Sequence, residues 1–375
     1  MNRICWISTG LNTGGAEKML VKIIKNLDKK VFCSIVVSLI DEGTNGAELK
    51  GMGVPVYSLK MNTILGFLLS IFRIAFIVYQ FRPNIIQGWM YHANLLAWFA
   101  QKIAAQKSKL YFGVRHTFYD YSLESKNTRI VIKLNGFLSK TVDGILFNSN
   151  LSLDRHRKIG FQNSRLVVIP NGFELDSFCP SIQLRNKIRN ELGIDESCKV
   201  VGLVARFDLA KDHYTFLKAA KLITERVNIN IKFVLVGRNI TISNQALIDW
   251  INELDISKNI LLLGERVDIP AINNAFDIAC LSSYMEAFPN VIGEAMACGI
   301  PCVATNVGDV EFIIGDSGLV VESRNAEALA AAIISLLNLS SIELKQLSMA
   351  ARDRVVKNYE IKKIVQDYAS FYLSI

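Results

Sequence analysis

Two α/β domains in tandem, each a parallel sheet covered by helices on both faces, are what this sequence predicts. Three observations carry that prediction. The 375 residues exceed the roughly 100–200 of a single domain. Short apolar runs without polar alternation recur between amphipathic stretches, the pattern of strands buried on both sides. The alternation breaks once, at Pro170-Asn171-Gly172, and then begins again. A chain that is 51% hydrophobic and 20% charged is neither disordered nor low in complexity, and it can bury a core without disulfides.

In the first alternation, 3–8 is a β-forming run that stops at Thr9-Gly10, and 16–27 repeats apolar residues at helical spacing after a glycine-rich loop. Residues 31–39 and 54–59 are apolar strands, and 64–80 is an apolar helix. Strands at 84–87, 110–114, 144–147 and 167–169 follow, with helices at 91–107 and 128–140 between them. The second alternation places strands at 200–205, 231–236, 260–263, 278–281, 301–305 and 318–321. Its helices are expected at 215–226, 246–254, 269–276, 291–298 and 326–337, the fourth stopped by Gly299 and Pro301. Helices at 342–357 and 362–373 close the chain with no strand after them.

Charge is unevenly shared. Through Arg185 there are 23 Lys and Arg against 11 Asp and Glu, and the remainder is net acidic. Such a first half is suited to an anionic partner, a membrane surface or nucleic acid. No aromatic-basic RNA motif, zinc module or helix-turn-helix supports nucleic acid. The opening MNRICWIS is too short for a signal peptide. The apolar run 64–79 contains Ser70 and Arg73 and falls short of the ~20 residues of a span. It reads as a helix in the core or at an interface, in a cytoplasmic protein that can adhere to a membrane. The seven cysteines form no CxxC pair and read as reduced thiols.

Ligands of such sheets bind beyond the carboxyl ends of the strands, and three constellations lie there. Glu286 follows the strand 278–281, and Glu294 stands eight residues on, inside a helix opening near Asn290. Free amides at that helix end suit a phosphate, and a carboxylate in its first turns suits paired ribose hydroxyls. Alone, Glu294 reads first as an acid complementing a helix end. Arg206 and Lys211 follow the strand 200–205, a forked and a point cation of the kind a diphosphate needs. In Thr13-Gly14-Gly15-Ala16-Glu17 a glycine pair joins strand to helix, in a form that is neither GxGxxG nor a P-loop. His116, just past the strand 110–114, is one of four histidines.

Gly14-Gly15, His116, Arg206 with Lys211, and Glu286-x7-Glu294 within EAFPNVIGEAMACGIPCVAT together resemble a retaining glycosyltransferase of family 4, of the bacterial O-antigen or capsule type. PNGFELDSF is similar to that family's linker. The resemblance implies a GT-B fold, two Rossmann-like parallel-sheet domains facing across a cleft. The expected parts are an acceptor-side domain 1–172, a linker 173–180, a nucleotide-sugar domain 181–355, and a C-terminal helix 356–375 packing back on the first domain. It implies that Arg206 and Lys211 hold the donor diphosphate and Glu294 the ribose. Glu286 and His116 would lie at the donor sugar. The backbone of Ala287, Phe288, Pro289, Asn290 and Val291 would touch sugar or phosphate, and Gly14 and Gly15 would let the first loop approach it. Gly264 and Val267 would frame the base. Gly237-Arg238-Asn239 departs from the family's glycine-rich turn, leaving Gly237 alone as a contact.

No Asp-x-Asp and no His/Cys cluster at ligand spacing occurs, so no metal and no cofactor are expected beyond the nucleotide-sugar donor, a UDP-sugar ahead of a GDP-sugar. The implied acceptor is a polyprenyl-linked or lipid A-linked glycan. That places the enzyme on an anionic surface, peripheral on the inner face of the cytoplasmic membrane, without nucleic acid. The alternative is a GT-B-type nucleotide-sugar epimerase with a soluble substrate, which would need neither the basic first half nor the 64–79 helix.

Overall fold

The same strand–helix alternation folds twice, into two parallel sheets. The computed structural model describes every residue except Thr13, Asn62, Tyr119 and Ile375, and only the backbone of Ile64, Leu65 and Leu123. Thr13 of the glycine-rich loop thus lies outside the described residues. The chain divides into one unit of 1–172 with 361–375, and a second of 173–360.

In the first unit the strands are β1 (Asn2–Ser8), β2 (Phe32–Ser38), β3 (Val56–Ser58), β4 (Ile85–Trp89), β5 (Lys109–Val114), β6 (Gly144–Phe147) and β7 (Leu166–Val168). They are parallel in the order β3-β2-β1-β4-β5-β6-β7. Between them run α1 (Gly15–Asn26), α2 (Gly43–Gly51), α3 (Ile64–Phe81), α4 (Tyr91–Ala104), α5 (Lys126–Leu138) and α6 (Asn150–Lys158). Order reverses between β1 and β4, so the helices divide between the two faces. One core joins the sheet to α3, α4 and α5, and another joins it to α1.

The second unit opens with α7 (Ile182–Glu191) and continues through β8 (Lys199–Val204), α8 (His213–Arg226), β9 (Ile231–Val236), α9 (Gln245–Glu253), β10 (Ile260–Leu262) and α10 (Ile269–Ala275). β11 (Ile278–Leu281), α11 (Asn290–Ala297), β12 (Cys302–Thr305), α12 (Val310–Ile314), β13 (Gly318–Val321), α13 (Ala326–Leu337) and α14 (Ser341–Tyr359) complete it. Its order is β10-β9-β8-β11-β12-β13, with the reversal between β8 and β11. α15 (Ile361–Leu373) belongs to the first unit, where Tyr368 and Tyr372 join the α1 core. The segment 173–180 is not an open linker. Phe173 and Phe178 are buried in the second unit's core, Phe173 stacks on Phe288, and its amide donates to the Tyr359 carbonyl.

Four helices were not anticipated: α2, α6, α7 and α12. None presents an apolar stripe long enough to announce itself. α6 buries Ser152, Leu153 and His156, and α7 is fastened by charge. Arg185 Nη2 lies 2.7 Å from Asp277 Oδ1 and Arg189 Nη1 3.3 Å from Asp277 Oδ2, while the Val200 amide donates to the same carboxylate. Serine side chains cap α5, α6 and α7 at Ser125, Ser149 and Ser181.

His156 is a core residue. Its Nδ1 donates to the Ser152 carbonyl at 2.6 Å, which leaves Nε2 to accept from the Tyr91 hydroxyl at 2.6 Å. Burial pushes its pKa down to about 4, against the help of the Ser152 carbonyl and with a smaller push from His116. The folded state therefore refuses a proton that the unfolded state accepts below about 6.5. The contribution of His156 to stability should be flat above pH 6.5 and fall between 6.5 and 4, by up to about 3 kcal/mol. Denaturant unfolding of wild type and His156→Gln across that window checks it: the substitution should flatten this part of the slope.

Candidate active site

The carboxyl-end loops of the second sheet touch backbone to backbone. Gly237, after β9, has φ +152°, and a Cβ there would lie 2.1 Å from the Ala205 carbonyl oxygen in the turn after β8. The Gly237 amide donates to the Gly264 carbonyl after β10 at 2.7 Å. Gly308, after β12, has φ +59°, and its Cβ would meet the Ala287 carbonyl at 2.4 Å. The loop after β11 is tied to the loop after β8 by the Ser282 hydroxyl, donating to the Lys211 carbonyl at 2.8 Å, and by the Tyr284 amide, donating to the Ala210 carbonyl. The loops after β8 to β12 thereby hold one another in place.

Lys211 and Glu286 meet there. Lys211 Nζ donates to Glu286 Oε1 at 2.5 Å, with both side chains largely buried, and the Ser283 hydroxyl donates to the same oxygen at 3.0 Å. Partial burial strengthens such a pair and makes loss of either partner costly. Arg206 is more exposed and folds back on Asp208, with Nε and Nη2 3.2 and 3.1 Å from Oδ2. Burial resists ionisation of Asp208, but the Ala210 amide and Arg206 outweigh it and hold the carboxyl below its usual range. Neither Ser283 nor Asp208 was singled out in the sequence. Their signal was position: serines directly after β11, and an acid within the R-x4-K loop.

α11 starts at Asn290 behind Pro289, an N-cap residue that makes no side-chain capping bond. A Cβ on Gly293 would fall 2.1 Å from the Phe173 ring, so only glycine lets α11 pack this closely. Glu294 is the helix's fifth residue, half-buried. Phe288 points into the core against Phe173 and Tyr359, which leaves only its backbone for a ligand. Pro289 is also buried and has no amide to offer, and Ala287 and Val291 are half-buried. Val267 is 98% exposed on the loop that carries Gly264, whose φ is +66°. Beside it Arg266 pairs with Glu191 and Asp268.

Gly14, Gly15 and His116 belong to the first unit. Gly14 is the N-cap of α1 and Gly15 its first residue. A Cβ on Gly14 would lie 2.1 Å from Glu17 Oε2, so the helix's own carboxylate sits over the end where an anion was expected. Burial raises the Glu17 pKa, partly offset by its own amide. His116 Nε2 lies 3.2 Å from Glu124 Oε1. Its neighbour Arg115, passed over in the sequence, is buried with its guanidinium 4.3 Å above the Trp89 ring, and Nη1 donates to Asn171 Oδ1 at 3.0 Å. Trp89 in turn donates to the Ala16 carbonyl in the first turn of α1. Burial lowers the Arg115 pKa to about 9, so it remains a cation at neutral pH. Among the described residues no three His, Cys, Asp or Glu side chains gather as a metal site requires.

Residues 13–177 match the family described as Glycosyltransferase Family 4, and residues 185–354 the family described as Glycosyl transferases group 1. The UDP-Gal:alpha-D-GlcNAc-diphosphoundecaprenol alpha-1,3-galactosyltransferase of Escherichia coli is 27% identical over 268 residues, 69% of this chain and 68% of that one. The N,N'-diacetylbacillosaminyl-diphospho-undecaprenol alpha-1,3-N-acetylgalactosaminyltransferase of Campylobacter jejuni is 27% identical over 364 residues, 94% and 93% of the two chains. Anabaena HepE, solved in complex with UDP-glucose, superposes over all of both chains with a TM-score of 0.87 at 22% identity. WaaG, a glycosyltransferase involved in lipopolysaccharide biosynthesis, does so at 0.76 and 13%. The fold is GT-B, and each of the two units matches a glycosyltransferase domain family.

Proposed function

We propose that this protein is a retaining, metal-independent transferase that moves a hexose or N-acetylhexosamine from a UDP-sugar to a polyprenyl-diphosphate-linked glycan, in the making of an O-antigen or capsule. The carrying observation is the partly buried Lys211–Glu286 pair beside Arg206, at loops locked together at the carboxyl edge of the second sheet. Lys211 and Arg206 take the negative charge that develops on the departing diphosphate. Glu286, steadied by Ser283, aims the ammonium and lies at the donor sugar. Glu294 accepts from the ribose hydroxyls, and the N-terminal end of α11 faces phosphate with its helix dipole. The first unit carries the acceptor.

The two relatives that match over most of the chain, at 69% and 94% of its length, name polyprenyl-diphosphate-linked acceptors, and this supports such an acceptor. A substrate held in a bilayer places the enzyme on the cytoplasmic membrane's inner face as a peripheral protein. Among the described residues no single helix is long and apolar enough to cross a membrane.

Replacing Arg206 and Lys211 together by Ala should lower kcat by at least about 10²–10³-fold, the loss seen for one oxyanion-stabilising donor. Turnover within a few-fold of wild type would refute the site. Glu294→Ala should weaken UDP binding about 10–100-fold in calorimetry, the worth of hydrogen bonds to a charged acceptor; an unchanged Kd removes the ribose role. Transfer should survive EDTA, since two cations and a helix end do what a divalent ion would do. A strict requirement for Mg²⁺ or Mn²⁺ would overturn that part.

A further inference from the structure

α3, α4 and α5 lie side by side as one layer over the first sheet, α3 against α4 and α4 against α5. Their inner residues, Ile74, Val78, Leu96 and Ile132 among them, are fully buried. Their outer surface is apolar as well. Phe72 is 63% exposed, Phe76 60% and Phe137 77%, with Tyr79, Ile103 and Leu134 also exposed. Soluble surfaces rarely gather large apolar side chains on three adjacent helices without a partner.

The charge around them has one sign. Arg73, Lys102, Lys126, Lys133 and Lys140 are exposed on or at the ends of these helices. No Asp or Glu occurs anywhere from Leu49 to Tyr119, nor within α5. A second copy docking by two-fold symmetry would set these cations against their own counterparts. An anionic bilayer matches both properties at once, taking aromatic side chains at the headgroup boundary and basic ones among the headgroups.

We infer that the outer face of α3, α4 and α5 is the membrane-docking surface, seating on anionic lipid with Phe72, Phe76 and Phe137 inserted shallowly. The inference rests on the lipid-linked acceptor reading and says which surface serves it. Flotation of the full chain with vesicles of phosphatidylcholine, alone or with about one third phosphatidylglycerol, tests it. Wild type should float with the anionic vesicles and be released as salt rises. Phe72→Ser/Phe76→Ser/Phe137→Ser should cut the bound fraction about tenfold or more, with melting temperature and UDP affinity unchanged. Arg73→Glu/Lys102→Glu/Lys133→Glu should abolish the preference for anionic lipid. If wild type floats and the triple serine variant floats equally, this surface is wrong while the lipid-acceptor reading stands. If wild type binds no vesicle, both fall together. If wild type is a dimer that the serine variant dissolves without loss of flotation, the face belongs to a second copy.

Discussion

Everything at the carboxyl edge of the second sheet depends on loops approaching one another with no side chain between them. Gly237 lies against Ala205, and Gly308 against Ala287, at separations that leave no room for a Cβ. Rigid backbone contact of this kind fixes where Lys211 and Glu286 emerge, and the two then find each other at 2.5 Å. A lysine side chain left unpaired keeps about 2 kcal/mol of rotamer entropy. Pairing with Glu286 spends that entropy during folding rather than at the moment of binding.

The two units solve the same problem with different materials. In the second, ion pairs and glycines do the positioning, as in the Asp277 clamp that fastens α7. In the first, aromatic packing takes over. Arg115 lies over Trp89, Trp89 reaches the first turn of α1, and Tyr368 and Tyr372 of α15 close the layer. A guanidinium is suited to this, being planar, weakly hydrated and charged at any relevant pH. The return of α15 to the first unit thus shores up the glycine loop that opens the chain.

Much of the architecture was legible because strands buried on both faces have no polar alternation to confuse them. Among the illegible helices, α6 and α7 are short and capped by serines, and α7 is held by arginines whose anchor lies far off in sequence. Asp277 is remote from Arg185, as Glu286 is from Lys211. The sequence singled out both partners of the latter pair as candidates, yet their ion pair is visible only in three dimensions. The EAFPN segment stood out in the sequence, but nothing there told that Phe288 and Pro289 are buried while Ala287 and Asn290 are half-buried. For 64–79, a uniformly apolar helix says nothing about which half is covered. Only the fold divides Ile74 and Val78 from Phe72 and Phe76.

Glu17 has a consequence of its own. Its carboxylate already occupies the positive end of α1, and its burial makes a proton easier to accept. An anion arriving at that loop would not meet an empty seat. It must drive the carboxylate out into solvent or see it neutralised in place. The helix end thus carries a counterion from within its own first turn.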